Sequence, residues 1–292
     1  MPAGLIFAIL CLLFAGANDV VFKRYAAKER SRGIYLCGIG VVWLGLQLLV
    51  GGHSALAACV TPANVTAGLT AGLLLAASNL LLLESLTRVE VSLGSTIYRL
   101  NTIAVVILAF LFLGEPFGLL KGLGVAAGIG AALLLYQHDK SKMRDEDPPR
   151  SKPVRVFFLL AVSASLFRAL YGVVSKAALS AGASLDALML FSAACWIVAG
   201  AGYSIIVEKR LEITWKKTLY VLTSGVLVFL IANSLMRAIE LAEASLVIPI
   251  SNLGFIVALL IGIAGGLEKL TTRKALAVAA SACSVLVLSM VG

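Results

Sequence analysis

Residues Ser92–Glu115 read SLGSTIYRLNTIAVVILAFLFLGE. The run is long enough to cross a bilayer, yet Tyr98, Arg99 and Asn101 stand inside it, and it stops at Gly114-Glu115. A shift of 153 residues reaches a related stretch, Ser245–Glu268, which reads SLVIPISNLGFIVALLIGIAGGLE. In this register Ser92 meets Ser245, Ile97 meets Ile250, Leu100 meets Leu253 and Glu115 meets Glu268. The same shift pairs Phe14 with Phe167, Val20-Val21 with Val173-Val174, Lys23 with Lys176, Trp43 with Trp196 and Glu90 with Glu243. A single ungapped register giving all of these matches points to a duplicated unit.

Composition sets the class. Of 292 residues, 60% are hydrophobic and only 13% charged, where a soluble domain carries about 25%. Mean hydropathy is +1.01. The apolar residues fall in repeated runs of about 20, the length of a membrane-crossing helix. The chain is read as a polytopic membrane protein, with too little polar sequence to cover a large soluble core. The net charge of +9 does not signal nucleic acid, because the basic residues sit in short loops between apolar runs. The five cysteines, Cys11, Cys37, Cys59, Cys195 and Cys283, form no CxxC or other metal spacing and read as small packing residues. Ala15-Gly16-Ala17 resembles a signal-peptide cleavage site, but no basic region precedes it, and the first apolar run has a counterpart around Phe167–Lys176.

The fold expected is an all-α membrane protein of ten transmembrane helices. The spans lie at roughly 3–26, 33–51, 64–87, 91–112, 117–136, 154–179, 184–207, 216–239, 243–264 and 272–291. Residues 1–136 form the first five-helix repeat and 154–292 the second. A hydrophilic linker, 137–153, joins them, marked by charges and three prolines. Five helices per unit force the second copy to enter from the opposite side, which makes the repeats inverted, a common plan for secondary transporters. Nineteen of the 24 Lys and Arg residues flank the loops after spans 1, 3, 5, 7 and 9, while Lys121, Lys176 and Arg237 lie near the other face. The positive-inside rule then puts the basic loops in the cytoplasm and both termini outside it.

Leu113-Gly114-Glu115 with the glycine-rich Gly122–Gly130, and Gly266-Leu267-Glu268 with Ala275–Ala282, carry a family resemblance. Phe14–Lys23 and Phe167–Lys176 add to it. With the five-plus-five plan, these residues resemble the drug/metabolite transporter superfamily, EamA type. The resemblance implies a central cavity lined by spans 1–4 and 6–9, with spans 5 and 10 outside. Its substrates include amino acids, nucleotide sugars, sugar phosphates and cationic drugs, so it names no single one. Many members have cytoplasmic termini, against the charge count here.

Charged groups deep in a bilayer cost about 2.5–3.5 kcal/mol each on insertion scales, so they need a partner or a wet cavity. Arg99 lies about eight residues into span 4, and Ser92, Ser95, Arg99 and Thr102 share one helical face. Tyr98 stands beside it. The matching place in span 9 holds Ser251 and Asn252, just after Pro249. A mid-helix proline frees the carbonyl four residues back, and matched helix breaks in two repeats point to a binding site. In span 6, Arg168 has Tyr171 one turn on, and its counterpart is Ala15, so no need shared by both repeats calls for a cation there. Asn18 and Asp19 in span 1 either line the same cavity or hold an arginine, and Asp19 also has Lys23 four residues on. Glu84, Arg237 and Glu240 sit near helix ends and read as gating or structural ion pairs. Glu115 and Glu268 read as caps of the helices they precede. Trp43 and Trp196 are cavity walls or packing residues.

No P-loop, HExxH, nucleophile elbow or dinucleotide fingerprint is present, so the chain is not read as an enzyme, and no cofactor or metal is expected. The function expected is a secondary transporter of the bacterial inner membrane. It moves a small polar or anionic organic metabolite, such as an amino acid, organic acid or phosphorylated compound, by alternating access. The halves rock about a midplane site between spans 4, 6 and 9. The alternative is a proton-coupled exporter of cationic or lipophilic drugs, with Asp19 or Glu84 as the titrating acid. The partners are a small-molecule substrate, the lipid bilayer and a coupling proton or ion, and not nucleic acid.

Overall fold

A long apolar run in lipid has no water to satisfy its backbone, so it closes its hydrogen bonds internally as a helix. The computed structural model describes residues 3–28, 32–85, 101–135, 154–209, 214–265 and 271–291, and among these there is no strand. In chain order the helices are α1 (Ala3–Lys28), α2 (Arg32–Ala58), α3 (Pro62–Ser85), α4 (Asn101–Leu108), α5 (Leu119–Leu135) and α6 (Val154–Ser180). There follow α7 (Leu185–Tyr203), α8 (Trp215–Leu241), α9 (Ala244–Ser251), α10 (Gly254–Ala264) and α11 (Thr272–Ser289). A wider π turn extends α4 over Ala109–Leu113 and another extends α7 over Ser204–Glu208. Among the described residues, eight helical segments are long and apolar enough to cross a membrane, with Ala244–Ala264 counted as one. Asn101–Leu113 and Leu119–Leu134 are shorter apolar helices.

Local chemistry sets the ends. Ser184, Thr214 and Thr271 cap α7, α8 and α11 by accepting N–H bonds from Ala187, Lys217 and Lys274. Gly114 stops the turn after α4 in the left-handed region, φ 67°, where a side chain is strained. One boundary differs from the expected spans: the second runs beyond residue 51 to Ala58, past a kink at Gly52 (φ 53°). The ninth is broken in two at the proline expected to interrupt it. Pro249 has no N–H for the Ser245 carbonyl, and the chain tightens at Asn252-Leu253 before α10 resumes at Gly254.

Lipid tails are as apolar as leucine, so helices in a bilayer associate by close packing and polar bonds. The main packed pairs are α2 with α7, α1 with α8, α5 with α11, and α3 with both α6 and α7. At Gly16 and Gly254 the backbones of α1 and α10 come so close that a Cβ on either would strike the other helix. Large apolar side chains such as Leu73, Phe112, Val198 and Leu286 face outward, as a lipid-facing surface requires.

Candidate functional site

Tyr98, Arg99, Ser92, Ser95, Glu90 and Glu268 lie outside the described residues, as does the linker 137–153. The remaining expected site residues fall into distinct groups.

The break between α9 and α10 forms the first. Asn252 donates both hydrogens of its side-chain amide to α4: one to Asn101 Oδ1 at 2.6 Å, one to Thr102 Oγ1 at 2.9 Å. Asn101 and Thr102 are buried. One residue earlier, Ser251 Oγ donates to the Ala8 carbonyl of α1 at 3.4 Å. A small cleft lies beside Asn252, between α4, α5, α9 and α10. Apart from Thr102 and Asn252 its lining is apolar, including Val125, Pro249 and Phe255.

The second group lies on α1 and α6. The Arg168 guanidinium sits over the Tyr171 ring, 5.3 Å from its centroid, a cation–π distance. Tyr171 is buried. Cys11 is buried on α1, and α9 packs against both α1 and α6, so the three helices meet around one spot. Sequence reasoning missed Cys11, which looked like a packing residue. Asn18 is half-buried, and its Oδ1 is buried with no hydrogen-bond partner. Asp19, the next residue, is half-buried. Trp43 and Trp196 meet edge to face, 5.8 Å between centroids, and both indole N–H groups are buried without an acceptor. Buried polar groups are ordinarily paired, so unpaired ones stand out.

Gln47 on α2 was not singled out from the sequence. It is 1% exposed, donates to Asp186 Oδ1 at 3.0 Å and accepts from Asn233 Nδ2 at 2.9 Å, tying α2 to α7 and α8. Asp186 reaches the turn after α2, where burial pushes the Cys59 thiol up and the nearby carboxylate adds to the effect. A buried glutamine within an apolar helix was the available signal.

The helix-end charges bond both within and between helices. Arg237 pairs with Glu240 at 2.9 Å within α8, both side chains partly exposed. Glu84 accepts the Tyr203 hydroxyl at 2.9 Å, joining α3 to α7. The expectation that Glu115 caps its own helix is corrected. Its carboxylate accepts the N–H groups of Ala244 at 2.7 Å and Ser245 at 2.9 Å, so it caps α9, 129 residues downstream of it. Lys121, expected near the other face, is 1% exposed and pairs with Glu243.

Amino-acid comparison decides the class. Residues 2–137 match the EamA-like transporter family, part of the drug/metabolite transporter superfamily. The first half of the chain is an EamA-like unit. With its many apolar helices, the chain is a multi-pass membrane protein, and the family that its first half matches consists of transporters. A small-molecule substrate and a bilayer setting come with the family. A solved crystal structure superposes on the chain with a TM-score of 0.82 at 13% identity, covering 99% of this chain and 96% of that one. At that identity the likeness concerns the fold alone. No curated protein matches the chain.

Proposed function

We propose that the chain is a secondary transporter that carries a small polar or anionic organic metabolite across the bacterial inner membrane by alternating access. Its ten spans form two inverted repeats, 1–136 and 154–292, joined by a cytoplasmic linker, with both termini outside the cytoplasm. The helix pairing supports the repeat. Shifting the pair α1 and α8 by one repeat gives α6 and α3, which are also packed together. The pairs α2 with α7 and α5 with α11 map onto themselves. Trp43 and its counterpart Trp196 touch each other, as counterparts beside a two-fold axis do.

The observation that carries the substrate class is Arg168. It lies within an apolar span, and the ion pairs among the described residues, Lys121–Glu243 and Arg237–Glu240, leave it out. A guanidinium cannot shed its charge, and its planar fork suits a carboxylate or phosphate. Tyr171 faces it, with Ser251 and Cys11 close by and Asn18 on the same helix as Cys11. Arg99, with Tyr98 beside it, is the second cation of the proposed site, and Asp19 and Asn252 complete its polar lining.

The test is a thermal-shift screen of the purified protein against a metabolite library, since a ligand of the native state stabilises it by mass action. The best hit is then titrated into variants. A charge-assisted bond is worth about 1.5–3 kcal/mol, so Arg168→Gln weakens an anionic ligand roughly ten- to a hundredfold. Arg168→Lys keeps the charge without the fork and retains part of the affinity. Unchanged affinity in both variants, or hits confined to lipophilic cations, rejects the anion site and selects the cation exporter.

A further inference from the structure

The turn between α8 and α9 is gripped by polar groups from distant parts of the chain. Glu115, just before α5, takes the backbone N–H groups of Ala244 and Ser245 and the Ser245 hydroxyl. Lys121, in the first turn of α5, donates to the Pro116 carbonyl at 2.7 Å and to Ser245 Oγ at 3.0 Å, and pairs with Glu243. On the other side, Lys176 of α6 donates to the carbonyls of Ile239 and Ala242 at 2.7 and 2.9 Å, which closes the C-terminus of α8. Lys121, Ser245 and Glu115 are 1%, 2% and 7% exposed.

This set links residues 115–121 to residues 243–245, one from each half of the chain. All four side chains recur at the 153-residue shift: Glu90 for Glu243, Ser92 for Ser245, Glu268 for Glu115 and Lys274 for Lys121. A local packing detail gives no reason for all four to be kept in both copies.

We propose that Glu115, Lys121, Glu243 and Ser245 form the gate on the membrane face opposite the basic loops, and that Lys121 must leave Glu243 and Ser245 before the central site opens there. The gate rests on the transporter reading above. Its chemistry suits a two-state contact. Lys121 is 1% exposed but the Glu243 side chain is 38% exposed, so the pair stands at the edge of the packed region, and desolvating the ammonium offsets part of its attraction to the carboxylate. Opening admits water, which rehydrates Lys121, so the broken state is not far above the made one. An apolar seal of the same size has no such compensation. The gate also holds the start of α9, whose other end carries Ser251 and Asn252, so its release is coupled to the site.

Cys11 reports the opening, because it lies one turn from Ala8, whose carbonyl accepts Ser251 at the site, and is buried in the closed arrangement. In the full chain with the other four cysteines replaced, a membrane-impermeant maleimide is applied to reconstituted vesicles from the face carrying Gly4 and Ala242, which touch each other there. Glu243→Gln and Lys121→Met raise the rate of Cys11 labelling from that face roughly ten- to a hundredfold, the effect of losing one charge-assisted bond on a closed–open equilibrium. Glu243→Asp, which keeps the carboxylate, raises the rate less than Glu243→Gln does. Glu243→Gln is near-isosteric, so it remains informative if Lys121→Met does not fold. Unchanged labelling with a lowered melting temperature overturns the gate and leaves a structural pin. Labelling raised as much by Glu243→Asp as by Glu243→Gln overturns the ion pair as its basis. Because the readout is access rather than transport, labelling can respond as expected even if the metabolite screen finds no ligand, so the two readings fail separately.

Discussion

Replacing Asn252 by alanine removes both amide hydrogens that fix the helix break to α4. The loss has two parts. The bonds to Asn101 Oδ1 and Thr102 Oγ1 vanish, and the Asn101 oxygen, on a residue 1% exposed, loses this donor. In a soluble core two such bonds are worth about 2 kcal/mol, and an orphaned group adds roughly 1–3 kcal/mol. Inside a membrane the reference state also finds partners, and measured interhelical bonds average about 0.6 kcal/mol with a maximum near 1.7. The membrane figure governs here, because α4, α9 and α10 lie in apolar segments. Asn252→Ala is therefore expected to cost about 1–2 kcal/mol, read as a melting point lowered by a few degrees for a chain of this size. A double-mutant cycle with Thr102→Val isolates one bond. Coupling of about 0.6–1.7 kcal/mol is expected. Strict additivity of the two substitutions, within about 0.3 kcal/mol, would refute the bond and with it the view that α4 holds the break in place.

The other predictions concern the break and the orientation. If the kink at Pro249 serves transport, Pro249→Ala inserts and melts normally but transports less, because a continuous helix forms across 244–264; full transport in that variant reduces Pro249 to a packing detail. A compartment reporter fused at Gly292 is expected to show an extracytoplasmic C-terminus, following the distribution of Lys and Arg. A cytoplasmic signal reverses the orientation while leaving the helix packing as described.

Legibility in the sequence followed the cost of each residue in lipid. Apolar length alone marked the helices, and a proline and an amide in an otherwise apolar run marked the break at 249–253, because both are expensive there. Arg168 stood out for the same reason. Glu115 was misread because a capping rule searches within one helical turn, whereas its partners, Ala244 and Ser245, lie in another part of the chain. Lys121 has the same history: near a segment end it looks like a loop charge, and only the packing of α5 near the start of α9 buries it. Gln47 gave a weak signal, since one neutral amide in an apolar run is tolerated wherever a neighbouring helix supplies partners. The Arg168–Tyr171 contact was readable because three residues on one helix nearly complete a turn. The convergence of Cys11, Arg168 and Ser251 was not, because it depends on how three separate helices pack.

The two ends of α9 differ in how easily their contacts are released. α9 is eight residues long, about 12 Å, and polar bonds from the N-terminal half of the chain hold both its ends. Glu115 and Lys121 hold the start, and Asn101 and Thr102 hold the amide just past the end. By sequence α9 belongs to the C-terminal half, so relative motion of the halves must release one end or carry α9 along with α4 and α5. Releasing the Asn252 end breaks two amide bonds to buried acceptors on α4, and no charged group there regains water in exchange. Releasing the Lys121 end lets an ammonium and a carboxylate regain water at a helix start. The hydrated end has the lower net cost, so it opens, and the Asn252 end acts as the pivot. On this reasoning, weakening the pivot by Asn252→Ala lowers the melting point without raising Cys11 labelling, whereas weakening the gate by Glu243→Gln raises labelling.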